Sequence, residues 1–134
     1  MTSCEKLFDG KTTLAWVHAK NSVRFEMDSY YLIERVLLFQ FLSSTNSRYR
    51  AKSMSLSFSD GTSMNFQMDN TAGWNEIILP QNVISNYLNF TIHSSHVKYS
   101  VLYLPPEIQI FGCRPGNCFL VVSYINVLLI SYLT

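Results

Sequence analysis

Residues 50–68 read RAKSMSLSFSDGTSMNFQM, and this stretch decides the fold class. On both sides of Asp60-Gly61, large apolar side chains alternate with small polar ones; the apolar residues are Met54, Leu56, Phe58, Met64, Phe66 and Met68. A period of two places such side chains on one face of a β-strand. Asp-Gly between two such runs is a strong hairpin signal, because glycine readily adopts the positive φ of a tight turn. The stretch therefore predicts a β-hairpin whose apolar face needs a second layer to cover it.

Similar alternation recurs in short runs through the rest of the chain, with turn signals between them. Pro80 closes one run, and residues 81–87 are interpreted as a loop or a short helical turn. The apolar run at 30–42 has the composition of a helix or of two strands, and its β-branched and aromatic content favours strands. Besides the hairpin, the predicted strands are 22–27, 31–33, 35–42, 74–79, 88–93, 97–104 and 107–111. About eight short strands predict an all-β antiparallel sandwich or barrel.

The composition limits the classes of protein that the chain can belong to. Its 134 residues, 48% of them apolar and 14% charged, suffice for one domain with a hydrophobic core and exclude a disordered chain. The net charge of +1 gives no reason to expect a nucleic-acid surface. The three histidines, His18, His93 and His96, stand in no nucleophile or zinc spacing, and the last two are interpreted as surface turn residues. We therefore expect no enzyme.

The last stretch, residues 118–134, carries no charged side chain. It lies at the lower limit of length for a helix that spans a bilayer. Three interpretations stay open: a membrane anchor, an additional pair of strands, or a tail foreign to the domain, such as a gene-model artefact.

Five segments in order carry a resemblance to a known fold family: LFDG at 7–10 followed by AW at 15–16, IERV at 33–36, FSDG at 58–61, WNEI at 74–77 and EIQIFGC at 107–113. Together they resemble the galactose-binding-like β-sandwich domains, which include the discoidin or coagulation-factor type C domains and many carbohydrate-binding modules. The chain is most similar to invertebrate extracellular domains of this type. The resemblance covers residues 4–113 and leaves 114–134 as an apolar tail.

The resemblance implies a jelly-roll β-sandwich of about eight antiparallel strands, with the Asp60-Gly61 hairpin at its centre. Many members of the family join their first and last segments by a disulfide, and Cys4 and Cys113 stand at those positions. The alternative is two buried free thiols. Such a bridge would close a long loop and contribute about 4–5 kcal/mol in the chain-entropy model.

The resemblance also implies a structural calcium ion near the first Asp-Gly turn. Asp9 and Glu107 match two of the usual ligands, and calcium prefers six to eight oxygens. The family pattern is broken at Lys11 and Leu14, which stand where an Asn-like residue and a threonine are usual. The alternative is that Asp9 caps a turn and Glu107 pairs with Lys11.

Ligands of this fold bind to loops at one end of the sandwich, and two loops have suitable residues. One spans 17–21, with His18 and Lys20, and the other spans 43–50, with Arg48, Tyr49 and Arg50. An aromatic ring flanked by forked donors suits a sugar. We therefore expect a non-catalytic module that binds a glycan or a protein surface, and no nucleic acid. The alternative is a purely structural or interaction domain, tethered to a membrane by the tail.

The sequence also bears on the compartment. Asn89-Phe90-Thr91 is an N-glycosylation sequon, and Asn89 is expected to point outward if Phe90 points inward. The opening residues MTSCEKLFDG lack the apolar segment of a signal peptide. We expect an extracellular or cell-surface domain whose sequence here is a fragment or a truncated gene model.

Overall fold

The computed structural model describes residues 21–40, 50–97, 102, 104, 105, 107–115, 123, 124 and 127–132. Within this part of the chain every regular element is a β-strand, and all strand pairs are antiparallel. The strands are β1 (Ser22–Gln40), β2 (Ala51–Phe58), β3 (Ser63–Gln67), β4 (Gly73–Ser95), β5 (Glu107–Cys113), β6 (Ser123–Tyr124) and β7 (Val127–Tyr132). The all-β antiparallel prediction is therefore confirmed.

Two long strands, β1 and β4, each contribute to both layers of the sandwich. The pairing order is β3-β2-β4-β1-β5-β6, and β7 pairs with β1. The first half of β1 pairs with the second half of β4, and the second half of β1 pairs with the first half of β4. The sheet is consequently curled into a first layer of β3, β2, late β4, early β1 and β7, and a second layer of early β4, late β1, β5 and β6.

Two interruptions of the β1–β4 register allow both strands to bend. Four residues of β1, 27–30, lie opposite a single residue of β4, Asn86. Likewise, four residues of β4, 79–82, lie opposite a single residue of β1, Glu34. The extra residues form bulges, which increase the bend and twist of a strand. Pro80 lies in the second bulge, where no backbone donor is needed. The prediction that Pro80 ends a strand and that 81–87 form a loop or helical turn is therefore wrong: β4 continues through both.

The two ends of the sandwich differ. At one end, which we call the loop end, β1 and β4 both begin and end, and β2 begins. Gln40 pairs there with Gly73, and Ala51 pairs with Ser95. The buried Gln40 side chain joins the layers: Ala51 N donates to its Oε1 and its Nε2 donates to Ala51 O, each at 3.2 Å. At the opposite end, the bend end, lie both bulges and the turn from β2 to β3.

The hairpin has the predicted faces and turn. Met54, Leu56 and Phe58 of β2 are buried, and Met64, Phe66 and Met68 pack partly buried against the same core. Gly61 has a φ of 89°, and Asp60 Oδ1 accepts a hydrogen bond from Thr62 N at 2.9 Å. The hairpin is not central, however, because β3 ends the strand order of the described residues. β2 also pairs with late β4, whereas β3 pairs with β2 alone among the described strands.

The core lies between the two layers and is almost entirely aliphatic and aromatic. Late β4 supplies Leu88, Phe90 and Ile92, and β5 supplies Ile108 and Ile110, all as the alternation predicts. Burial of each such side chain stabilises the fold by about 1.5–3 kcal/mol relative to exposure. The layers are thus held together by apolar contact.

The apolar tail contains two described strands. β6 pairs with β5, and β7 pairs with the first half of β1 from Val23↔Tyr132 to Met27↔Val127. This arrangement is the one expected if the tail adds strands, and the domain limit at residue 113 stays a prediction. In the described part of the chain we find no helix with the length and apolarity needed to cross a bilayer. Most of the predicted strand 97–104 lies outside the described residues.

Candidate functional site

The predicted site residues fall into two groups. Cys4, Asp9, His18, Lys20, Arg48 and Tyr49 lie outside the described residues, so their predicted roles stay predictions. Arg50, Asn89, Glu107 and Cys113 are described. Arg50 and Glu107 mark where a predicted loop and a predicted metal ligand join the fold. Asn21 does the same for the predicted loop 17–21, and its backbone oxygen accepts a hydrogen bond from Ile92 N at 2.7 Å.

Arg50 lies at the loop end, directly before β2. Its Nη1 donates to Asn70 Oδ1 at 3.1 Å, and its backbone oxygen accepts from His96 N at 3.1 Å. Arg50 therefore brings together the turn before β4 and the segment after β4. A guanidinium and an amide thus meet at the end of the predicted binding loop 43–50. These are forked donors and mixed donor–acceptor groups of the kind that recognise hydroxyl-rich ligands.

Asn70 is a candidate site residue that the sequence pattern did not identify, and His96 meets Arg50 through its backbone. His96 was interpreted as a surface turn residue, but it is half-buried, and its Nε2 is shielded from solvent without a hydrogen-bond partner. An unsatisfied buried polar group costs about 1–3 kcal/mol. Asn70 is exposed in a polar turn and carries no motif. Neither residue gave a signal in the sequence, because only the folded strands bring them to Arg50.

The outer face of the first layer carries polar side chains joined in small groups by hydrogen bonds, and we call it the polar face. It comprises Arg24 of β1, the serines Ser53, Ser55 and Ser57 of β2, and Asn89, Thr91 and His93 of β4. Arg24 Nε donates to Asn89 Oδ1 at 2.7 Å, and Asn89 Nδ2 donates to Ser57 Oγ at 3.1 Å. His93 Nε2 lies 2.9 Å from Ser55 Oγ. The Arg24 guanidinium also stacks 4.1 Å from the ring centroid of Tyr87.

Asn89 takes part in one of these groups, which bears on its predicted modification. Phe90 is fully buried and Asn89 is half-buried on the opposite face. The Nδ2 atom, to which a glycan would be attached, donates to Ser57 in a strand flanked on both sides. Glycosylation at Asn89 stays a prediction, and it would require this bond to be given up.

Glu107 and Cys113 mark the two ends of β5. Glu107 opens the strand opposite Phe39 at the loop end, and only 1% of it is exposed. A carboxylate this deeply buried needs partners or a cation. Among the described residues no group of three or more His, Cys, Asp and Glu side chains could hold a metal ion, and Asp9 is not described. Cys113 is buried at the bend end, and its pairing with Cys4 stays a prediction.

The outer face of the second layer holds the WNEI segment. Trp74 is 43% exposed and meets the Phe39 ring edge-to-face, with centroids 5.2 Å apart. Arg35 forms an ion pair with Glu76 at 3.0 Å and lies 4.6 Å from the ring centroid of Phe111. This face is therefore apolar with one exposed ion pair at its middle.

A third cluster closes the bend end. Tyr31 OH donates to Asp28 Oδ1 at 2.5 Å, and Arg114 Nη2 lies 3.3 Å from Asp28 Oδ2. The Arg114 guanidinium is also 5.3 Å from the centroid of the Tyr31 ring. These contacts tie the β1 bulge to the end of β5 and have a structural role.

Comparison with solved structures identifies the fold. The chain is similar to a family 32 carbohydrate-binding module from Streptococcus pneumoniae EndoD, with a TM-score of 0.64 and 14% sequence identity over 81% of this chain and 84% of that one. No protein-family model and no functionally curated protein matches the sequence. The expected galactose-binding-like β-sandwich fold is thereby confirmed. The finer expectation of a discoidin-like domain stays a prediction.

Proposed function

We propose that this chain is a non-catalytic glycan-binding module whose combining site lies at the loop end. The observation that carries the proposal is the contact of the Arg50 and Asn70 side chains at that end, where Arg50 directly follows Arg48 and Tyr49 in the chain. The fold of a carbohydrate-binding module, found at a TM-score of 0.64, supports the same class of ligand. Binding alone needs no nucleophile or general base, so the proposal assigns no catalytic residue.

The chemistry of the site suits a sugar. The Arg50 guanidinium, which only donates hydrogen bonds, lies 3.1 Å from the Asn70 side-chain amide, which both donates and accepts them. A sugar hydroxyl both donates and accepts, and it can bridge an arginine donor and an amide oxygen. Tyr49 is proposed to stack on a sugar ring, and His18 and Lys20 are proposed to contribute further donors from the neighbouring loop.

Three further features belong to this proposal. The domain functions outside the cell or at its surface, carries a Cys4–Cys113 disulfide, and is modified at Asn89. A calcium ion is proposed to bind between Asp9 and Glu107, and the deep burial of the Glu107 side chain at the loop end supports it. The ion would hold the first loop against β5 and so keep the combining site ordered.

Binding to a glycan array tests the proposal. We expect Arg50→Ala, Asn70→Ala and Tyr49→Ala each to weaken binding while the far-ultraviolet circular dichroism spectrum is unchanged. Arg114→Ala is the matched control, since it removes an exposed arginine at the opposite end. Equal loss with the control variant, or no change with the three site variants, would contradict the assignment of the loop end.

The alternative function is a structural or interaction domain, and the second layer favours it. On the same face of early β4, Ile78 is 68% exposed and Trp74 is 43% exposed, and exposed apolar residues often mark protein contacts. Tethering by the tail is part of this alternative. Deletion of residues 115–134 discriminates between the two functions, because it removes β7, which pairs with the first half of β1. A soluble, folded product would support a tether or a foreign tail, whereas an insoluble product would show that the tail completes the sandwich.

A further inference from the structure

We infer that the glycan is acidic, carrying carboxylate or sulfate groups, and that it extends from the loop end along the polar face of the first layer. This inference rests on the proposed function and adds to it the class of ligand and a second part of the binding surface. It is carried by the distribution of charge over β2 and late β4.

Two long stretches of the sequence contain no acidic residue. No Asp or Glu occurs between residues 35 and 59 or between residues 77 and 106. In the fold these stretches supply β2 and late β4, which pair with each other from Ala51↔Ser95 to Phe58↔Leu88. Lys52 and His93 are both exposed on this pair of strands, and Arg50 lies at its loop end. On its outer face, the pair of strands β2 and late β4 therefore carries only basic and neutral side chains.

The acidic residues lie mostly elsewhere. Asp28 and Asp60 are at the bend end, and Glu76 is on the second layer. Glu26 follows Arg24 by two residues on β1 and marks the far limit of the polar face, while Asp69 is exposed at the loop end beside Asn70. Glu107 also lies at the loop end but is buried. The accessible cations of the described polar face and loop end, Arg24, Arg50 and Lys52, therefore outnumber the accessible carboxylates by three to two.

The spacing of the cations indicates a polymer and not a single sugar. Arg24 pairs with Asn89, which precedes His93 by four residues along β4. At about 3.3 Å per residue, Asn89 and His93 are about 13 Å apart along the strand, and Lys52 lies beyond His93 toward the loop end. Between Arg24 and His93 lie only small neutral side chains, of Ser55, Ser57 and Thr91 among others, which make a flat and hydroxyl-rich surface. An extended acidic chain can place anionic groups at both ends and its own hydroxyls between.

The polar face favours a glycan over a nucleic acid. Proteins that bind single strands stack bases on exposed aromatic rings. The aromatic ring beside Arg24 is that of Tyr87, and the guanidinium already covers one of its faces at 4.1 Å. Serine and threonine hydroxyls can rotate and exchange an internal hydrogen bond for one to a sugar. The face thus combines electrostatic attraction with hydroxyl chemistry and has no described stacking platform.

The test compares dextran, dextran sulfate, alginate and oligo(dT) as ligands of the full chain by calorimetry. We expect dextran sulfate and alginate to bind more tightly than dextran, with affinity falling as salt rises from 50 to 500 mM because added salt screens charges. Lys52→Gln and His93→Gln should each weaken binding about two- to fivefold at low salt. Arg114→Gln, which removes one exposed positive charge at the bend end, should leave the affinity for these polysaccharides unchanged. Nuclear magnetic resonance shifts on dextran sulfate addition should centre on β2 and late β4.

The failures are distinguishable. Salt-insensitive binding of dextran alone would overturn the acidic class but leave the glycan-binding function standing. Equal affinities of Lys52→Gln, His93→Gln and the unaltered chain for alginate would overturn the polar face as the surface. Oligo(dT) binding as tight as alginate binding would overturn the selectivity for glycans. No binding to any polysaccharide here or on the glycan array would overturn the proposed function itself.

Discussion

Gln40 at the loop end offers the sharpest test of how the two layers are joined. The residue is fully buried, and its side-chain amide bonds both backbone groups of Ala51, itself only 1% exposed, at 3.2 Å each. Gln40→Leu keeps nearly the same volume and removes both hydrogen bonds. Water cannot replace them at a site this buried. Each backbone group left unsatisfied costs about 1–3 kcal/mol, so the variant should lose about 2–6 kcal/mol of unfolding free energy.

The assay is urea denaturation followed by tryptophan fluorescence and circular dichroism. Small domains are stable by about 5–15 kcal/mol, so the expected loss is a large part of the total, and measurements belong at low temperature. Gln67→Leu is the matched control, because Gln67 is exposed at the end of β3. It should change stability by no more than about 0.5 kcal/mol. A midpoint for Gln40→Leu equal to that of the control would refute the joining role of Gln40.

Three further predictions concern the turn, the metal and the disulfide. Gly61→Ala should destabilise the fold by about 1–2 kcal/mol because φ is 89° there, although a Cβ meets nothing within 4 Å, and an unchanged urea midpoint would contradict this. Calcium at a hundredfold excess over its Kd should stabilise the domain by about 2.7 kcal/mol in thermal unfolding. Glu107→Gln and Asp9→Asn should each abolish this stabilisation. If calcium stabilises the variants as much as the unaltered chain, this site is excluded. Peptide mapping without reductant should recover a Cys4–Cys113 cross-link, and reduction should lower the melting temperature; intact thiols at both positions in oxidised protein would show the prediction to be wrong.

Local patterns predicted the faces of the strands well. The alternation around Asp60-Gly61 gave the buried face of β2, and Leu88, Phe90 and Ile92 proved to be core residues as expected. The breaks proposed within 22–42 fall close to the register shifts of β1. They are bends within one strand and not the ends of strands, because β4 continues past each break and stays paired with β1.

The candidate site was predictable only in part. Arg50 stood out because it flanks Tyr49 in a polar segment, a property of neighbouring residues. Asn70 and His96 did not, because they lie 20 and 46 positions along the chain from Arg50 and meet it only after β2, β3 and β4 have paired. The charge asymmetry of the polar face was likewise hidden, since the net charge of +1 averages over all surfaces.

The sequence by itself determined which side chains face the core, because the alternation of a β-strand follows from its local backbone geometry. It also determined the turn at Gly61, where the backbone conformation favours glycine. Only the tertiary structure decided the strand order, the place of the hairpin at the end of the order of described strands, and the passage of β4 through Pro80. Those features depend on which distant strand supplies hydrogen bonds and apolar contacts. The free energy of such pairing depends on both segments together, so the sequence of either segment alone does not reveal it.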